Sequence, residues 1–179
     1  MKNLWATGYT QGELDTAQER FGLCFPPDLV ELLLDRRPIW GWDWRTDEVG
    51  IRAVLGTPLS GLLFDVEHNV LWWPEWGERP RSAEERAEVV SSVVQAAPPL
   101  IPIIAHRFIP QLPNEVGNPV FSVMQSDVIY YGTNLEDYLE REFHPEIIRK
   151  PMMLNTFKFI PFWSDLVERN GPEWANVPL

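Results

Sequence analysis

The stretch that decides the fold is Pro119–Phe143, PVFSVMQSDVIYYGTNLEDYLEREF. Val120–Met124 and Val128–Tyr131 are short runs rich in β-branched and aromatic residues. The polar trio Gln125-Ser126-Asp127 between them reads as a tight hairpin turn. Gly132 punctuates the second strand. Thr133 and Glu136 have the spacing of a capping box, in which hydroxyl and carboxylate satisfy the N–H groups a helix leaves unpaired at its start. Leu135, Tyr138, Leu139 and Phe143 then recur at helical spacing. The unit is β–β–α with strands apolar on both faces, so other elements must cover the sheet on both sides. Tyr130 and Tyr131 alternate across it, which sends one of them to the core. Asp127 could act as a general base only if buried, and a side-chain bond to the turn backbone suits it better.

Working outward from this unit, Thr10 and Glu13 form a second capping box, opening a helix with Leu14, Ala17 and Phe21 on one face and Gly22 placed to end it. Pro26-Pro27 sets the first turn of another helix, with Leu29, Leu32 and Leu33 facing inward and Pro38 as its stop. Asp47–Leu55 reads as one short helix weakened by Gly50. Leu62–Val66 and Val70–Trp73 read as strands around a turn at Glu67-His68-Asn69. Ser82 and Glu85 make a third capping box, for a helix with Ala83, Ala87, Val90 and Val94 in one stripe, ended by Pro98-Pro99. Ile101–Ala105 is a strand in which Pro102 favours an edge or strand-start position. Pro161–Val167 reads as a short helix stopped at Gly171-Pro172, with a tail beyond. Hairpin strands with helices grouped around them predict a single α+β domain with a mainly antiparallel sheet.

A chain of 179 residues has enough length for one full core. The lone cysteine, Cys24, has no internal disulfide partner and lies beside Phe25, which suits a buried thiol in a reducing compartment. The N-terminal residues have no signal-peptide run, and no 18-residue apolar stretch is read. The expectation is a cytoplasmic protein that is not membrane-inserted. A net charge of −11 with no basic run longer than two residues argues against nucleic acid and is compatible with a basic partner.

No HExxH, GxSxG, P-loop or GxGxxG pattern occurs, so no catalytic residue, cofactor or metal is expected. An Asp65/Glu67/His68 metal cluster at the expected hairpin is outweighed by ordinary solvated turn chemistry. His106-Arg107 suits a structural pair at a sheet edge. The segment Ile39–Glu78 stands apart, because it holds six of the nine tryptophans and seven acids against two arginines. If extended, Trp40, Trp42 and Trp44 share one face while Asp43 points the other way. Tryptophan is enriched at interface hot spots. Trp42, Asp43, Trp44, Asp65, Glu67, Trp73 and Trp76 are therefore the candidate partner-binding residues, set against an aromatic mini-core as the plainer reading.

Several of these pieces together resemble the SUKH superfamily. They are the helix ending in FG before FPPDLVELLL, the glycine-bearing strand SGLLFDVE followed by LWWPEWG, LIPIIAHRFIP, and GNPVFSVMQSDVIYYGTNLEDYLEREF. The resemblance spans about residues 10–143, with 144–179 as an extension packed on or beside the domain. It implies a bent antiparallel sheet flanked by helices and a non-enzymatic role. In bacterial members that role is commonly immunity, the neutralising of a cognate toxin, often a nuclease, by protein binding. Fungal relatives regulate cell-wall assembly. The expectation is an immunity protein that occludes a toxin's active site or substrate groove. The alternatives are a regulatory or scaffold module, and a carbohydrate- or nucleotide-binding protein.

Overall fold

The structure, a computed structural model, describes residues 4–144 and 156–169. Among the described residues, six helices surround two antiparallel sheets in an α+β arrangement. A two-stranded sheet pairs β1 (Trp5–Thr7) with β2 (Arg36–Pro38). Between them lie α1 (Gln11–Phe21) and α2 (Pro27–Asp35). The expected Thr10/Glu13 box closes α1 at its start, and Gly22 ends it in the left-handed conformation. Pro38, expected only as a helix stop, belongs to β2. Cys24 lies exposed in the turn between these helices, contrary to expectation, because Phe25 takes the inward position there.

The main sheet is a meander of β3 (Leu100–Ile104), β4 (Arg107–Pro110), β5 (Val120–Met124) and β6 (Asp127–Gly132). Pro102 is on the edge strand as predicted, and the β5–β6 hairpin pairs Phe121 with Tyr130. Its turn is tighter than read, since Asp127 already belongs to β6. Both faces are buried. Phe108, Phe121, Val123, Val128 and Tyr130 face one core, whereas Ile101, Ile103, Ile109 and Val120 face the other. The helices α1, α2 and α5 (Leu135–Phe143) cover the second core. The first lies under α4 (Ala83–Ala96), whose Ser82 cap forms as expected, and α6 (Trp163–Arg169). Tyr130 is the inward tyrosine, with its hydroxyl 2.6 Å from Ser164 Oγ in α6. Gly171 and Pro172 lie outside the described residues.

The largest correction is α3, a single 21-residue helix over Glu48–His68. It replaces both the short helix and the strand expected at Leu62–Val66, and Val70–Trp73 is not a strand either. Its buried positions, Ile51, Val54, Pro58, Leu62, Asp65 and Val66, recur every three or four residues across the whole length. The β-like composition of the last third is overridden by that longer period. Pro58 removes the N–H that would bond the Val54 carbonyl, and the Thr57 hydroxyl donates to that oxygen instead at 2.7 Å. By length and mean hydropathy α3 could cross a membrane, contrary to the sequence reading. In this fold it is a spine that places Ile51 in one core and Val54, Leu62 and Val66 in the other.

The helix α5 starts one residue later than read. Asn134 is its N-cap and accepts from the Asp137 N–H at 2.8 Å, while the Thr133 N–H donates to the Asp137 carboxylate at 2.8 Å. Asp137, not Glu136, thus occupies the third helical position.

Candidate functional site

The seven sequence-predicted residues do not form one face. Residues 39–47 turn rather than extend, so Trp40, Trp42 and Trp44 separate: Trp40 is 57% exposed, Trp42 half-buried and Trp44 buried. Trp44 packs edge-on against Phe21 and Phe25, and its backbone N–H donates to the Tyr9 hydroxyl at 3.2 Å. Trp42 packs against both cores. Asp43 is held by Arg45, whose Nε and Nη2 lie 3.1 Å from its two oxygens, with Arg37 at 3.5 Å. The Arg45 hydrogen bonds keep the Asp43 carboxyl below its usual range despite some burial.

Alternate strand positions would put Asp65 and Glu67 on one face, but the helix separates them. Asp65 is 3% exposed and accepts from Ser126 and Asn69. Burial pushes its carboxyl upward, and those hydrogen bonds outweigh it, leaving the group below the usual carboxylate range. Glu67 makes a two-bond ion pair with Arg86 of α4. Trp72, Trp73 and Trp76 form a half-buried cluster around the short 3-10 turn Pro74–Trp76. Trp73 packs on Phe162, and the Arg169 guanidinium lies 3.9 Å from its ring centre. This cluster joins α3, α4 and α6 as the aromatic mini-core of the plainer reading.

His68 stacks on Phe64 and His106 lies in the β3–β4 turn, its pKa lowered by burial and then by Arg107. Among the described residues no three His, Cys, Asp or Glu side chains stand together as a metal site, so the Asp65/Glu67/His68 cluster does not form.

A concave site lies elsewhere, between α2 and α5, as a groove of about 730 Å³. Leu32, Leu139, Phe143 and Trp5 supply its apolar lining. Phe143 contacts Trp5 at 4.8 Å between ring centres and stacks with the exposed Trp40 at 6.4 Å. Along α2, Asp28, Glu31 and Asp35 recur at helical spacing, and Glu136 and Glu140 do the same along α5. The two helices thus line the groove with five carboxylates. Opposing them are Arg36, which lies 3.7 Å from Asp35 with its guanidinium 4.5 Å from the Trp5 ring centre, and His144 at the end of α5. Asp28 is already engaged, accepting from the Gly117 N–H at 3.0 Å. Among the described residues, Glu31 and Glu136 make no ion pair.

Like charges three and four residues apart on a helix repel by a few tenths of a kcal/mol each, so these rows cost the isolated helices stability. A cationic ligand would relieve that repulsion. The site was missed because its parts are distant in sequence: β1, α2 and α5 come together through the β1–β2 sheet, the second core and the Trp5–Phe143 contact. One signal was available, since α2 carries Leu32 outside its buried Leu29–Leu33 stripe, beside carboxylates of a single sign. Comparison of the chain with protein-family models, with curated proteins and with solved structures finds no match to any of the three.

Proposed function

We propose that this chain is a non-enzymatic protein-binding domain of the immunity type, which neutralises a cognate toxin in the cytoplasm by covering its active site or substrate groove. The observation that carries the reading is the α2–α5 groove, where an apolar, aromatic lining is bordered by carboxylates on both sides. Such a surface offers desolvated anchors for affinity and a negative field for steering a basic partner. A basic nuclease toxin fits that description, because its own substrate groove must carry positive charge. The chain's net charge of −11 acts in the same direction at long range.

The likeness to the SUKH superfamily supports the same reading through the paired N-terminal helices, the β5–β6 hairpin and α5. The SGLLFDVE segment no longer contributes a strand to that likeness, because it is part of α3. A regulatory or scaffold role would use the same groove for a cellular protein, and a protection assay separates the two. Cells expressing a toxin encoded beside this gene should survive when the chain is co-expressed and die without it. Full resistance after deletion of the gene would end the immunity reading.

A further inference from the structure

We infer that the α2–α5 groove binds one short amphipathic basic segment of the partner, with Lys or Arg side chains against the two acidic rows and large apolar side chains on the lining. This rests on the protein-binding reading above and specifies what that surface takes.

Charge complementarity selects the occupant. Among the described residues, Arg36 is the one arginine lining the groove and is committed to Asp35 and to the Trp5 ring, while Glu31 and Glu136, on opposite helices, make no ion pair there. A phosphate-bearing ligand would be repelled by this array. A cation between the rows is attracted to both, and the like-charge repulsion within each helix falls when it arrives. Arg36 shows the binding mode in miniature: its guanidinium lies 4.5 Å from the Trp5 ring centre while its Nε reaches toward a carboxylate. Apolar contact is needed as well, because exposed ion pairs alone contribute little. Leu32 and Leu139 are only half-buried, and the Trp5–Phe143–Trp40 row ends in an indole that is 57% exposed. Together these residues give a place for leucine- or aromatic-sized anchors. The tryptophan cluster at Trp72–Trp76 lacks that opening, since its rings pack on one another, on Phe162 and against Arg169.

The test is calorimetric titration of the full chain with a short amphipathic Lys/Leu peptide, the same peptide with Ser for Leu, and the same peptide with Glu for Lys. The variants are E31K/E136K in the groove and E78K/E88K beside the tryptophan cluster and on α4. Both pairs are exposed carboxylates and change the net charge equally. The Lys/Leu peptide should bind wild type and E78K/E88K alike and E31K/E136K about tenfold more weakly, with neither double variant unfolding below the wild-type midpoint. The Ser peptide should bind weakly and lose binding in high salt, and the Glu peptide should not bind. Equal weakening by both double variants would reduce the effect to net charge and overturn the inference. So would Ser and Lys/Leu peptides of equal affinity, no binding to wild type, or self-association that excludes the peptide. A toxin bound equally by wild type and E31K/E136K would overturn the groove assignment and leave the immunity reading standing. Peptide binding without protection of cells would do the reverse.

Discussion

Asp65 in the last turn of α3 accepts two hydrogen bonds from Ser126 at the tip of the β5–β6 hairpin, at 2.8 Å from the amide nitrogen and 2.5 Å from the hydroxyl. One turn earlier on the same helix, Gly61 lets the hairpin backbone approach so closely that a side chain there would lie 2.7 Å from the Gln125 Cα. The pair fixes the hairpin against the helix that joins both cores. The carboxylate expected to hold this turn was Asp127, a neighbour in sequence, whereas the one that does so comes from a distant helix.

Removing that carboxylate should be costly. Asp65→Ala leaves donors of Ser126 and Asn69 facing a buried gap and should lower stability by about 2–3 kcal/mol in urea unfolding. The group's pKa is lowered in the folded state, so its contribution is complete above the ordinary carboxylate range. It declines as pH falls below that range and vanishes below the folded value. Stability measured from neutral to acid pH should therefore fall less steeply in Asp65→Asn than in wild type.

Two glycines of α3 should respond oppositely to alanine. At Gly61 a Cβ meets backbone atoms of Gln125, so Gly61→Ala should destabilise by about 1–3 kcal/mol. At Gly56 nothing lies within 4 Å, so Gly56→Ala should stabilise by about 0.5–1 kcal/mol through helix propensity alone. Thermal unfolding midpoints on the two variants give the comparison.

Thr57 compensates for the proline in α3. Thr57→Val keeps the shape and removes the donor to the Val54 carbonyl, at an expected cost of about 1 kcal/mol. Thr57→Ser retains the donor and should lose less. Chemical denaturation of the pair separates hydroxyl from methyl.

Tyr138 is fully buried, and among the described residues its hydroxyl has no hydrogen-bond partner. Its pKa is strongly raised, first by burial and then by Glu142. Tyr138→Phe deletes an unpaired polar group without leaving a sizeable cavity and should raise stability by about 1 kcal/mol. A midpoint shift upward in urea checks this.

The parts of the fold legible in the sequence were those fixed by local chemistry. The Thr10 and Ser82 caps, the Gly22 stop, the edge-strand Pro102 and the β5–β6 hairpin each rest on a few adjacent residues. What misled was a conflict of scales in α3, where LLFDV looks like a strand within a window of five and belongs to a helix over twenty-one. Pro58 lies between the two segments, and the Thr57 bond that makes the proline tolerable in a helix is not a sequence signal of helix. The candidate site was less legible. Tryptophan content pointed to residues 40–76, yet most of those rings serve packing, and among them only Trp40 joins the groove's aromatic row. The groove residues are ordinary leucines and acids whose meaning comes from two helices meeting across a gap.

The central claim is that the partner surface is the α2–α5 groove and not the tryptophan cluster. Amide hydrogen exchange of the full chain, with and without saturating Lys/Leu peptide, tests it directly. The account predicts slowed exchange over Pro27–Asp35 and Leu135–Phe143, with residues 70–79 unchanged. Protection confined to residues 70–79, with both groove helices exchanging as in the free protein, would contradict it.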